Sequence, residues 1–84
     1  MASIHTLSLN DVVEDLRVKV INVIKDLPAE IEYCVATVCD ITGSINLIYD
    51  KKMAAKVGAG SVLKITGLVT STEEGVLELT VSDQ

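Results

Sequence analysis

Apolar and polar residues alternate through most of this chain, and clusters of turn-forming residues cut the alternation into five strand-length segments. From Leu16 to Lys25 the first three apolar residues, Leu16, Val18 and Val20, share one face, with Arg17 and Lys19 on the other. Ile21 and Val23 then carry apolar groups to the opposite face, and that change of phase predicts a bulge or bend in a first strand serving both halves of a barrel. Asp26-Leu27-Pro28-Ala29-Glu30 ends the strand. A second strand is expected from Ile31 to Asp40, where the sets Cys34, Ala36, Val38 and Tyr33, Val35, Thr37, Cys39 are both largely apolar, so alternation leaves open which set faces inward. After the corner Asp40-Ile41-Thr42-Gly43, a third strand places Ile45 and Leu47 on one face and Asn46 and Ile48 on the other. Lys51 to Val57 contains good helix formers, with Met53 and Val57 four apart, and Gly58-Ala59-Gly60 stops it. A fourth strand runs from Ser61 to Thr70, with Gly67 as a natural bend. Beyond the polar loop Ser71 to Gly75, Leu77, Leu79 and Val81 alternate strictly with Glu78, Thr80 and Ser82 in a fifth. Residues 1–14 show no alternation and read as a lead-in, leaving residues 15–84 as one domain.

Composition supports an all-β reading. The chain has 84 residues, 49% of them hydrophobic, enough for one small domain with a single core. Tyr33 and Tyr49 are its only aromatics, so the core must be built from Val, Ile, Leu, Ala and Met, a β-branched set suited to pleated strands. Twelve acidic residues against seven basic ones give a net charge of -5, which opposes strong sequence-independent binding to a polyanion unless the cations cluster. They do cluster along the sequence, with Arg17, Lys19 and Lys25 in the first strand and Lys51, Lys52 and Lys56 in the helical stretch.

Few other chemistries find support. Cys34 and Cys39 fall on opposite faces of one strand and cannot bridge each other locally, and they read as small buried hydrophobes of an intracellular protein, cytoplasmic or nuclear. No signal sequence or membrane span is expected. Glu30/Glu32 and Glu73/Glu74 have no His, Lys or nucleophilic Ser in a recognisable arrangement, and Gly58-Ala59-Gly60 follows a helix where a phosphate-binding loop would precede one. The expectation is a non-enzyme that needs no cofactor and no metal.

Three strands, a short helix and two more strands make the order of the five-stranded oligonucleotide/oligosaccharide-binding (OB) barrel. With that order in place, Val38-Cys39-Asp40-Ile41-Thr42-Gly43-Ser44-Ile45 resembles the Val-x-Asp-x-Thr-Gly-Ser-Ile corner of the OB-fold single-stranded-DNA-binding family, which includes the SOSS-complex DNA-binding subunits and archaeal replication protein A domains. Tyr49-Asp50, Gly60 to Ile65 and Gly75 to Leu79 resemble further family segments, so the likeness spans about residues 15–81. In the corner itself, Asp40 and Thr42 are expected to accept hydrogen bonds from turn amides and Gly43 to supply a positive φ, features that specify the fold before any function.

The resemblance implies single-stranded nucleic acid, with DNA favoured, on a groove formed by Arg17, Lys19, Thr37, Asn46, Ile48 and Tyr49, with Lys51 and Lys52 beside it. Tyr49 reaches that groove only if the end of the third strand bulges; plain alternation puts it on the Ile45/Leu47 face. Tyr33 reads as packing or rim. The chain departs from the family in the loop Ser71-Thr72-Glu73-Glu74 and at Glu78-Leu79-Thr80, where relatives tend to carry aromatics and where acidic groups would repel phosphate. The alternative is an OB subunit that has kept the barrel, lost the groove and binds protein partners or itself through apolar outward residues such as Val35, Ile48 and Val76.

Overall fold

The computed structural model describes residues 2–82. Five strands, β1 (Val12–Ile24), β2 (Tyr33–Asp40), β3 (Gly43–Asp50), β4 (Val62–Ser71) and β5 (Leu77–Val81), close into a barrel in the order β1-β2-β3-β5-β4. All neighbours are antiparallel except β3 and β5, which run parallel through Asn46↔Glu78, Leu47↔Leu79 and Ile48↔Thr80. This is an all-β, OB-like barrel, as the strand order predicts.

β1 closes the ring because it is long and twice broken in register. Its first part pairs with β4 and its last with β2, and Lys19 is opposite Val62 on one side and Cys39 on the other. The first irregularity lies between Val13 and Leu16, where Asp15 adopts φ 53 and donates its backbone N–H to Thr66 Oγ1 at 3.2 Å. The second, between Val20 and Asn22, leaves Ile21 unpaired and half exposed, and it is the predicted change of phase: Val20 opposes Val38 and Val23 opposes Ala36, both inward. Extra residues of this kind sharpen the bend a small barrel requires.

Alternation fills the interior with aliphatic side chains. Val20, Val38, Leu47, Ile65, Val69 and Leu79 are all at or near zero exposure, each worth about 1.5–3 kcal/mol of burial. Gly67 is required for closure, because a Cβ there would stand 2.2 Å from the Thr80 carbonyl oxygen.

Three local expectations change. β1 begins at Val12 rather than at Leu16, since the Glu14–Asp15 irregularity hides the alternation that Val13 and Leu16 share. The lead-in also packs on the barrel: Ile4, in a 3-10 turn (Ile4–Thr6), is buried in the common core. The segment Lys51–Lys56 is a 3-10 helix rather than an α-helix, started by the Asp50 carboxylate accepting the Lys52 N–H at 2.8 Å, with Val57 buried just past its end and Met53 partly buried.

The corner is held differently from the expectation at Gly43, whose φ is not in the left-handed region, positive φ among the glycines being found at Gly60 and Gly75. Asp40 does the work instead. Its Oδ1 accepts the Thr42 N–H at 2.7 Å, the Gly43 N–H at 3.1 Å and the Thr42 hydroxyl, while its Oδ2 accepts the Ile4 N–H at 2.9 Å. A side-chain turn of this kind removes the need for a left-handed residue. Partial burial alone would push the Asp40 carboxyl pKa up; the bonds from Thr42, Ile4 and Gly43 outweigh it and hold it below its ordinary value.

Candidate nucleic-acid interface

Inward positions of β2 are Cys34, Ala36 and Val38, so Tyr33, Val35, Thr37 and Cys39 point outward, which resolves the ambiguity of that strand. The register then builds the outer face of β1, β2 and β3 in rows. One row is Asn22, Thr37 and Asn46, bordered on β5 by Glu78; the next is Ile24, Val35 and Ile48, bordered by Thr80. Lys19 lies opposite Cys39 at one end, with Arg17 two residues earlier on the same side, and Tyr33 lies opposite Asp50 at the other.

Five of the predicted groove residues, Arg17, Lys19, Thr37, Asn46 and Ile48, are thus brought onto one continuous surface. The Thr37 hydroxyl donates to Asn46 Oδ1 at 2.8 Å, a bond that uses none of the Asn46 amide N–H groups. Ile48 is half-buried and Val35, between Ile24 and Ile48, is only 8% exposed, so the middle of the face offers a low aliphatic ridge. Arg17 and Lys19 line a cleft of about 650 Å³ together with Cys39, Ile41 and Val62, and with the carboxylates Glu14, Asp15 and Asp40 on its walls. Among the outward residues of β2, β3 and β1 from Arg17 onward there is one carboxylate, Asp50, and it is occupied in capping the 3-10 helix.

Tyr49 is a correction. It is 3% exposed and belongs to the core with Ile45 and Leu47. The β2–β3 ladder runs without a break from Tyr33↔Asp50 to Asp40↔Gly43, so the bulge needed to turn Tyr49 outward is missing. Burial, and next the neighbouring Cys34, push its hydroxyl pKa above the ordinary value, which keeps it neutral. The exposed aromatic is Tyr33, at 45% exposure on the outer face. The sequence signal that could have found it is weak: β2 is apolar on both sides, and only the pairing with β3 decides which side is in.

Lys51 and Lys52 are exposed but stand on the 3-10 helix, off the β1–β3 face. Lys52 lines a second cleft, of about 560 Å³, with Lys56, Lys64, Asp15, Asp50 and Met53. Among the described residues no group of three or more His, Cys, Asp or Glu is placed to hold a metal ion, and no helix is long and apolar enough to cross a membrane.

Comparison with protein-family models, with curated proteins and with solved structures finds no match to this chain.

Proposed function

We propose that this barrel binds single-stranded nucleic acid along the outer face of β1, β2 and β3. The observation that carries the reading is the make-up of the outward rows of β1, β2 and β3: in a chain with twelve acidic residues they carry Arg17 and Lys19 and one carboxylate, Asp50, which caps the 3-10 helix, while Glu78 borders them on β5 and Glu14, Asp15 and Asp40 stand on the walls of the Arg17–Lys19 cleft. Arg17 and Lys19 would neutralise backbone phosphates, Asn46 would donate to a base or phosphate oxygen, the Val35–Ile48 ridge would support a base face, and Tyr33 would stack. The sequence likeness to the OB-fold single-stranded-DNA-binding family makes DNA the expected polymer.

Affinity is expected to be low. One aromatic platform supplies roughly 1–3 kcal/mol, where strong single-strand binders stack several bases, and two strand cations neutralise few phosphates. Such a module works best inside a replication or repair assembly whose other members add further binding surface.

Fluorescence anisotropy with labelled oligo-dT, at low and at moderate salt, tests the reading. Weak binding that falls with salt and is lost in the double variant Arg17→Glu, Lys19→Glu supports it; no binding at low salt removes it for this chain.

A second reading is favoured by one observation. Val12 and Leu68, directly opposite each other on β1 and β4, are 74% and 40% exposed; of the apolar residues that the sequence suggests for such a patch, Val76 is exposed, Ile48 half-buried and Val35 buried. A protein partner covering Val12 and Leu68 would make the barrel an interaction subunit. Sedimentation of the wild type against Val12→Lys, Leu68→Lys separates the two: self-association abolished by the change supports the second reading, and a monomer in both removes its homo-oligomeric form.

A further inference from the structure

Arg17 on β1 is directly opposite Lys64 on β4, and both are exposed. Like charges opposed across an antiparallel pair repel, so this arrangement works against the fold unless something negative lies over it. Lys64 also forms a wall of the 560 Å³ cleft, where Lys52 and Lys56 of the 3-10 helix join it. Arg17 and Lys19 line the other cleft, and Asp15 lines both, so the two clefts abut. Five of the chain's seven basic residues therefore lie on one surface running from β1 across β4 to the 3-10 helix. Four carboxylates share this surface, Glu14, Asp15 and Asp40 in the first cleft and Asp15 and Asp50 in the second; the Asp50 carboxylate accepts the Lys52 N–H and the Asp40 carboxylate the Thr42 and Gly43 N–H groups.

We propose that this surface is a second phosphate track: a strand seated on the β1–β3 face continues over the Arg17–Lys64 pair and lays its backbone phosphates in the Lys52–Lys56–Lys64 cleft. The proposal rests on the nucleic-acid reading and adds to it a path, a direction around the barrel and a longer site. Oligonucleotides too short to leave the β1–β3 face do not reach the lysine cleft, whereas longer ones do.

The test compares oligo-dT of about 5 and about 15 nucleotides, within the site sizes such barrels occupy, by anisotropy across a salt series. Wild type and the double variant Lys56→Gln, Lys64→Gln are measured side by side. The expected result is tighter binding of the longer strand by wild type, loss of that gain in the variant, and unchanged binding of the short strand. Each phosphate that a lysine no longer neutralises reduces the log–log salt slope by about 0.7, so two such phosphates should reduce it by about 1.4 for the long strand alone. Equal long-strand affinity and slope in both proteins overturns the track and leaves the β1–β3 reading standing. Absence of binding by wild type at any length overturns both. Thermal melting reports independently on the repulsion: neutralising Lys64 should raise the melting temperature, and a drop would overturn the claim that the Arg17–Lys64 pair is uncompensated.

Discussion

Tyr49, a groove residue by family resemblance, follows plain alternation into the core, while Tyr33, read as packing or rim, stands exposed on the outer face, and the pair shows what a single residue's position can decide. Both stand on strands in the same hairpin, yet one ring is in the core and the other in water. Replacing each by Leu should separate the roles. Tyr49→Leu should lower stability by about 1–3 kcal/mol through a poor fit in the core, read as a lower urea midpoint, with oligonucleotide affinity per folded molecule unchanged. Tyr33→Leu should leave the midpoint nearly unaltered and weaken oligo-dT binding by about 1–3 kcal/mol. Gly67 is a sharper case. A methyl group there would collide with the backbone of β5 rather than with a side chain able to move, so Gly67→Ala should cost at least the roughly 1–3 kcal/mol typical of overpacking, visible as a large drop in melting temperature.

Among the elements, strands are more legible in the sequence than the pieces that join them. β3, β4 and β5 show themselves because one face of each is consistently aliphatic, and the register fixes the inward set that alternation implies. β1 is legible only in its middle, since a residue in the left-handed region, Asp15, interrupts the period just where the strand starts to pair with β4. The lead-in is illegible for a different reason. Ile4 is buried through tertiary structure, two backbone N–H groups bonding to the β2–β3 corner (Ile4 to Asp40, and His5 to Thr42 Oγ1 at 3.0 Å), which leaves no periodic trace. Asp40 therefore ties two elements together, and its ionisation should matter. Because its folded pKa is depressed, its contribution is fully present above the unfolded value and is lost as pH falls through the folded one. The urea midpoint of wild type should fall at acid pH more steeply than that of Asp40→Asn, which should be the less stable of the two at neutral pH. Equal slopes would show that the carboxylate bonds to Ile4, Thr42 and Gly43 do not contribute.

For the whole molecule, net charge and local charge point in opposite directions. A net charge of -5 argues against a polyanion, while folding gathers five of the seven cations onto one side, where Glu14, Asp15, Asp40 and Asp50 also stand. That gathering cannot be read along the chain: Lys64 and Arg17 are 47 positions apart in sequence and opposite each other in the sheet. One measurable consequence is a strong dependence of any nucleic-acid affinity on ionic strength, since the attraction is local and largely solvent-exposed while the global field is repulsive. Raising monovalent salt from about 50 to about 200 mM should weaken oligo-dT binding about 7- to 20-fold with only two to three phosphates engaged, and about 100-fold with five. An affinity indifferent to salt would mean that aliphatic and ring packing, rather than phosphates, dominates.

β5 is the shortest strand and the last made, yet it bridges β3 and β4. Until Leu77–Val81 have left the ribosome, nothing can seal the gap between those two neighbours, and both keep raw edges able to capture another chain. At about 5–20 residues per second of synthesis the exposure is brief. A chain cut before Leu77 would keep both edges raw, and its recovery in a cell should then depend on holdase chaperones even though the closed ring has no free edge at β5.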